Sequence, residues 1–237
     1  MCKCVALQVT RLTGLNCAAR RDWSLQLLQA CAPRLVELQM VQAHQEHLEM
    51  LRCMPALRVL TVECVGEFDP DDEDLDGMSD SERRMTLEVI FWHQFNLDNV
   101  QFTPLPRLSG GASGGLRWLR VGICCWATTK ALVRAHADTQ QELELCCHSH
   151  SADAYAVPFW GFKALRRLVL RRSSELSPAM ELFHNVPSCA SMVRSMRQNL
   201  PRWTDADGQQ RPVTVLCSEC DKEQVAGYSS AIGPGSF

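Results

Sequence analysis

The sequence has no apolar run near the roughly 18 residues that a membrane-spanning helix needs. It has no basic excess either: 24 Lys and Arg stand against 27 Asp and Glu, a formal charge of −3. That balance argues against a dedicated nucleic-acid binder, whose affinity rests on a net basic face. The opening residues, Met1-Cys2-Lys3-Cys4-Val5-Ala6-Leu7-Gln8, turn polar at once and show no secretory leader. No Asn-x-Ser/Thr glycosylation acceptor occurs anywhere. Cysteine, by contrast, is abundant: 13 residues, an odd number, in a chain of 237. Without a leader, so many thiols in so long a chain read as reduced, which places the protein in the cytoplasm or nucleus. The remaining composition, 46% hydrophobic and 22% charged, is that of an ordinary globular protein able to bury a core.

Self-similarity is the strongest signal. Leu35-Val36-Glu37-Leu38-Gln39-Met40 has the form Leu-x-x-Leu-x-Leu with a variable last residue, and Leu57-Arg58-Val59-Leu60-Thr61-Val62 repeats it 22 residues later. Leu116-Arg117-Trp118-Leu119-Arg120-Val121 and Leu165-Arg166-Arg167-Leu168-Val169-Leu170 repeat it again. Between them, Gln141-Glu142-Leu143-Glu144-Leu145 keeps the final pair, with Gln140 in the place of the first Leu, at steps of 24 and 25. A weaker copy, Leu87 to Trp92, falls at steps of 30 and 29. A first unit is expected from Cys4 with Leu7 and Val9, and a last one at Val213-Thr214-Val215. Periods of about 20 to 29 residues with this core are the signature of leucine-rich repeats. Each unit supplies one short parallel strand whose alternate side chains point inward, and the apolar face is covered only when units stack.

The segments between strands read as the returning helices. Asp22 to Cys31 opens on a capping-type Asp and stops before Pro33. His44 to Met54 spaces His47, Leu48, Leu51 and Met54 helically and stops at Pro55. Thr128 to His136 opens on a Thr cap, Pro178 to Val186 has Pro in its first turn, and Ala190 to Leu200 ends before Pro201. Alternating helix and strand implies a parallel sheet. The expected fold is α/β: an irregular leucine-rich-repeat solenoid over residues 1–225, with a parallel sheet on the concave face and helices on the convex face. Insertions near 66–83 and 103–115 interrupt it, and residues 226–237 form a disordered tail.

Leu27-Leu28-Gln29-Ala30-Cys31-Ala32-Pro33-Arg34-Leu35-Val36-Glu37-Leu38 and Met54-Pro55-Ala56-Leu57-Arg58-Val59-Leu60-Thr61-Val62 are helix–proline–strand units. Over about residues 4 to 220 the chain resembles the leucine-rich-repeat region of F-box proteins. The resemblance implies a substrate-recognition role in ubiquitin ligase assembly, with a protein partner that is itself a ubiquitination substrate. The F-box, an N-terminal helical module near a Leu-Pro, is not seen: Leu105-Pro106 and Leu200-Pro201 stand in other contexts. The first repeat strand therefore stands without the polar cap a solenoid end needs, so a fragment or a missing partner is expected.

Motifs for chemistry are weak. Asp72-x-Asp74-x-Asp76-Gly77, with Asp80 at the ninth position, matches the first half of an EF-hand loop. The closing bidentate Glu is missing, because Arg83 stands at position 12 and Glu82 one residue early. A solvated charged loop is the expectation, with a Ca²⁺ site as the alternative. Cys217-Ser218-Glu219-Cys220 is a CxxC whose second pair would have to come from Cys146, Cys147, His148 and His150. The repeat supplies another reading, since Cys64, Cys147 and Cys217 each fall two residues past an inward strand position and so pack as small hydrophobes. Gly111-Ala112-Ser113-Gly114-Gly115 satisfies GxSxG, yet the strand follows the Ser instead of preceding it, so a hydrolase elbow is not expected. The seven histidines show no accompanying carboxylate that would define a base. No catalytic residue, metal ligand or cofactor is therefore assigned, and a Ca- or Zn-binding protein or a hydrolase remains the alternative class.

What remains is the strand face that points away from the core. Its residues are Glu37, Gln39, Thr61, Glu63, Trp118, Arg120, Glu142, Glu144, Arg167 and Arg171, with Val59 and Val169 among them. Acidic and basic lanes alternate around Trp118, the composition of an interaction hot spot. The expected function is a non-enzymatic protein-binding module using this face.

Overall fold

The aliphatic positions of the repeat fall into continuous rows. The structure, a computed structural model, describes residues 8–64, 115–122, 126–146, 161–171 and 184–231. The chain is an α/β protein with one seven-stranded sheet. In chain order the elements are β1 (Arg11–Asn16), α1 (Arg21–Cys31), β2 (Glu37–Ala43), α2 (Gln45–Met50), β3 (Val59–Cys64) and β4 (Trp118–Val121). Next come α3 (Trp126–His136), β5 (Glu142–Cys146), β6 (Arg167–Arg171), α4 (Val186–Asn199) and the short β7 (Trp203–Thr204) and β8 (Gln210–Arg211). The series ends with β9 (Thr214–Cys217) and α5 (Lys222–Ala231). The sheet order is β1-β2-β3-β4-β5-β6-β9 and every pair is parallel. Each strand is thus added beside its predecessor, with the antiparallel β7-β8 pair standing apart before β9. The edge strands β1 and β9 do not pair with each other, so the sheet is open.

Register sorts the side chains. Leu38, Leu60, Leu119, Leu143, Leu168 and Val215 are successive partners across six strands. Met40, Val62, Val121, Leu145, Leu170 and Cys217 form the parallel row two residues on. No member of either row exceeds 2% exposure. Because side chains alternate along a strand, both rows point to one face. A third row, Leu35, Leu57, Leu116, Leu165 and Val213, enters just ahead of the strands and is also buried. Gln140 stands in this row between Leu116 and Leu165, fully buried, with Nε2 donating to the Glu142 carbonyl at 3.4 Å. Leu28 and Cys31 of α1, Leu48 of α2, Leu132 and Val133 of α3, and Met192, Val193 and Met196 of α4 join the same cluster. Each fully buried Leu contributes about 1.5 to 3 kcal/mol, which is why the rows dominate the stability.

The helices follow the spacing expected of them, with shifted ends. The α1 cap is Arg20 without a side-chain bond, so Asp22 lies inside the first turn, where its charge favours the helix dipole. The chain leaves β1 through Asn16, whose Oδ1 accepts from the amides of Ala18 and Ala19. The second helix stops at Met50 and tightens into a 3₁₀ turn, Leu51–Cys53, before Pro55. Thr128 and Thr129 sit within α3, which starts at Trp126, and do not cap it. The last long helix begins at Val186, earlier than Ala190, because Asn185 caps it by accepting from Ser188 N at 2.9 Å and Pro187 suits the first turn. His184 and Asn185 are therefore not helical, Val186 opens α4, and residues 178–183 of the expected 178–186 helix lie outside the described residues. At the other end, α5 carries the chain to Ala231, past the Ala226 start expected for a disordered tail.

The first strand also differs from expectation. Its inward residues are Leu12 and Leu15, paired with Leu38 and Met40, and its register slips between them. One extra residue, Gly14 at φ +69°, converts the repeat into Val9-x-x-Leu12-x-x-Leu15. A bulge of this kind hides the motif from a fixed-spacing reading. The neighbouring strand slips too, between Met40 and Ala43, where Gln42 takes φ +54°.

A buried polar relay ties α1 to α2. The His44 amide donates to Nδ1 of His47 at 3.2 Å, which leaves Nε2–H to donate to Ser24 Oγ at 2.8 Å. Ser24 in turn donates to the Arg21 carbonyl at 2.7 Å. Both side chains are fully buried, and desolvation holds the His47 pKa below its ordinary value, so the ring is neutral. No helix among the described residues is long and apolar enough to cross a membrane.

Candidate functional site

The outward face of the sheet is less open than its sequence suggests. Of the ten expected face residues, Thr61, Glu63, Glu142, Glu144 and Arg167 are buried, and Glu37, Gln39, Trp118, Arg120 and Arg171 are half-buried. The charge lanes explain much of this. The acidic strand β5 lies between two basic ones, and parallel pairing sets opposite charges side by side. Arg167 lies 3.5 Å from Glu142, while Glu144 accepts from Arg171 Nε at 2.5 Å and has Arg120 Nε at 4.0 Å. These side chains neutralise one another and are not all free to meet a partner. Glu63 is 1% exposed and lies against Gly122, where a Cβ would stand 2.0 Å from its Cγ. At the β1 edge, Arg11 Nε donates to Glu37 at 2.6 Å.

One end of this face is covered outright. Val169 of β6 and Leu216 of β9 point outward and pack with Val225 of α5. The first four helices bury their apolar residues in the main core on the inward side, whereas α5 folds onto the opposite side. Two apolar residues at outward positions were the sequence signal for this cover. The strip left around Trp118 has Arg120 two residues along its own strand and Val59 and Glu142 as cross-strand partners.

A second constellation lies where α4 and β9 meet. His184 and Cys189 flank the start of α4, Cys217 is the last residue of β9, and Cys220 lies in the following turn. Their ligand atoms, one imidazole nitrogen and three sulfurs, all lie within 4.8 Å of one another. His184 Nε2 is 3.5 Å from Cys217 Sγ and 3.5 Å from Cys220 Sγ. Cys189 and Cys217 are buried, His184 is half-buried and Cys220 is exposed. All three cysteines are thiols outside any disulfide. Desolvation, followed by the charge of Cys217, holds the Cys220 thiol above its ordinary pKa. The backbone between the two sulfurs is fixed: Asp221 Oδ2 accepts from Cys217 N at 2.9 Å and the Asp221 amide donates to the Cys217 carbonyl at 2.9 Å. Ser218 N donates across to Leu170 O at 2.9 Å, anchoring the turn to β6.

Sequence reasoning assigned no metal ligands and sought the partners of the CxxC elsewhere. Cys146 lies on β5, in register with Arg171, and is not in the cluster; Cys147, His148 and His150 lie outside the described residues. The inward position read for Cys217 holds, since it is fully buried. The cysteine Cys64 has no described side chain. The overlooked signal was His184-x₄-Cys189, a second pair at ligand spacing, masked by placing His184 within a helix. The acidic loop with Asp72, Asp74, Asp76 and Asp80, and Ser113 of the GxSxG string, lie outside the described residues. The buried His136 has its pKa lowered to about 4 by desolvation and sits at the end of α3, apart from either constellation. Comparison with family models, with curated proteins and with solved structures finds no match.

Proposed function

We propose that the chain is an irregular leucine-rich-repeat solenoid, without enzymatic activity, that binds another protein on the half-buried strip around Trp118. The observation that carries this reading is the strand order. A doubly wound enzyme sheet reverses direction and binds its ligand in the crevice at that reversal. Here each described strand of the seven-stranded sheet lies beside the one before it in that sheet, so its described strands show no switch point to serve as a ligand crevice. Stacked units instead leave an extended face, and the unburied part of that face holds the aromatic Trp118 with Arg120 two residues along the same strand. The resemblance to F-box proteins makes the bound protein a ubiquitination substrate, met in the cytoplasm or nucleus.

The test is quantitative affinity capture with the wild type and with the double variant Trp118→Ala, Arg120→Gln. Gln is chosen because Arg120→Glu would set a carboxylate beside Glu144. A hot-spot loss of at least about 2 kcal/mol corresponds to partner recovery falling more than tenfold. The melting temperature should change little. An unchanged partner set in a folded double variant contradicts the assignment of this strip.

A further inference from the structure

We propose that His184, Cys189, Cys217 and Cys220 hold a structural zinc ion that fastens the start of α4 to the end of β9 and the turn into α5. Zinc prefers four tetrahedral ligands, with Zn–S near 2.3 Å and Zn–N near 2.0 to 2.1 Å. Those bond lengths place a ligand nitrogen and sulfur about 3.5 Å apart, and two sulfurs about 3.8 Å apart. His184 Nε2 stands 3.5 Å from both Cys217 and Cys220, and the whole set lies within 4.8 Å. A Cys₃His donor set is closed, with no position left for water, so its role is structural and not catalytic. Soft thiolates select zinc over calcium or magnesium.

The location explains what such an ion would do. The last strand is separated from β6 by α4 and the β7-β8 pair, a long excursion for one repeat step. Ligands contributed from both ends of that excursion close it into a loop, and loop closure stabilises most when the loop is long. The turn geometry is prepared without help, because Asp221 and Leu170 already hold the backbone between Cys217 and Cys220. Binding releases the thiol protons, three in all for three thiolates, to solvent. This inference is independent of the protein-binding strip, since none of the four residues lies on it.

Elemental analysis and Co²⁺ substitution of the full chain test it. The purified protein should carry one more equivalent of zinc than its Cys220→Ser variant. Co²⁺ replacing zinc should give the intense visible bands of a tetrahedral site and a thiolate-to-cobalt charge-transfer band. Cys220 is exposed, so Cys220→Ser should stay folded by circular dichroism while binding Co²⁺ at least about 100-fold more weakly. Cys53→Ser, an exposed thiol outside the cluster, should behave as wild type. Should Cys220→Ser misfold, His184→Cys decides, because a Cys₄ set keeps the ion but adds a thiolate-to-cobalt transition. Equal zinc in wild type and Cys220→Ser, iron in place of zinc, or a Cys217–Cys220 disulfide with no metal would each overturn the proposal.

Discussion

Replacing Leu168 by Asp is expected to abolish stable folding. Leu168 is fully buried in the first inward row, between Leu143 and Val215. Truncating such a Leu costs about 2 to 5 kcal/mol, and burying an unpaired carboxylate costs several more. Together these reach the whole stability of a typical domain, about 5 to 15 kcal/mol. The matched control is Thr214→Asp. Thr214 is exposed on β9, faces the other way and pairs in register with Arg167. It should shift stability by no more than about 0.5 kcal/mol. Circular dichroism melts of the two variants test the parity of the rows: a cooperative, near-native melt for Leu168→Asp would contradict the inward assignment.

The second large effect is a loss of stability as pH falls from 6.5. His136 is buried, and desolvation lowers its pKa from an ordinary 6.5 to about 4. Its place at the C-terminal end of α3 favours the charged form, but a helix terminus is worth only about 0.3 to 1 kcal/mol and burial wins. The folded pKa lies below the unfolded one, so between pH 6.5 and 4 the unfolded chain holds more protons. Stability is therefore complete above 6.5 and declines as pH falls through the window, reaching its limit below about 4. One such group accounts for about 2 kcal/mol between pH 6.5 and 5. His47 shifts in the same direction and adds to the slope. Carboxylates such as Asp205, held low chiefly by Arg211, contribute only at lower pH. Urea midpoints measured at pH 7.5, 6.5, 5.5 and 5 should fall accordingly, and His136→Leu should remove the His136 share. Parallel profiles for wild type and His136→Leu would contradict a neutral buried imidazole.

Much of the sheet was legible because strand period and repeat period reinforce each other. Leu38, Leu60, Leu119, Leu143 and Leu168 recur with the same neighbours, and the structure aligns them in one row. The first strand was misplaced because Gly14 adds one residue between Leu12 and Leu15, which a fixed spacing does not tolerate. The polar face was the harder part. Parity told correctly which residues point away from the core, but not that facing away differs from being exposed. Glu142 and Glu144 are buried because cross-strand arginines and packing cover them, and these contacts depend on neighbours 24 to 27 residues distant in the chain. The His184, Cys189, Cys217 and Cys220 cluster was hidden for a similar reason. Cys217 and Cys220 are visible as a pair, yet His184 and Cys189 become neighbours only when the chain returns through α4 to β9.

The ladder itself is the central claim, and methyl–methyl nuclear Overhauser effects on Leu- and Val-labelled protein test it most directly. Adjacent parallel strands lie about 4.8 Å apart, so partnered inward methyls must be within reach of one another. Cross-peaks should run without a break from Leu38 through Leu60, Leu119, Leu143 and Leu168 to Val215. Missing Leu60–Leu119 or Leu168–Val215 contacts in a folded sample, or contacts that join Leu38 to Leu143 instead, would contradict a sheet built strand by strand in chain order.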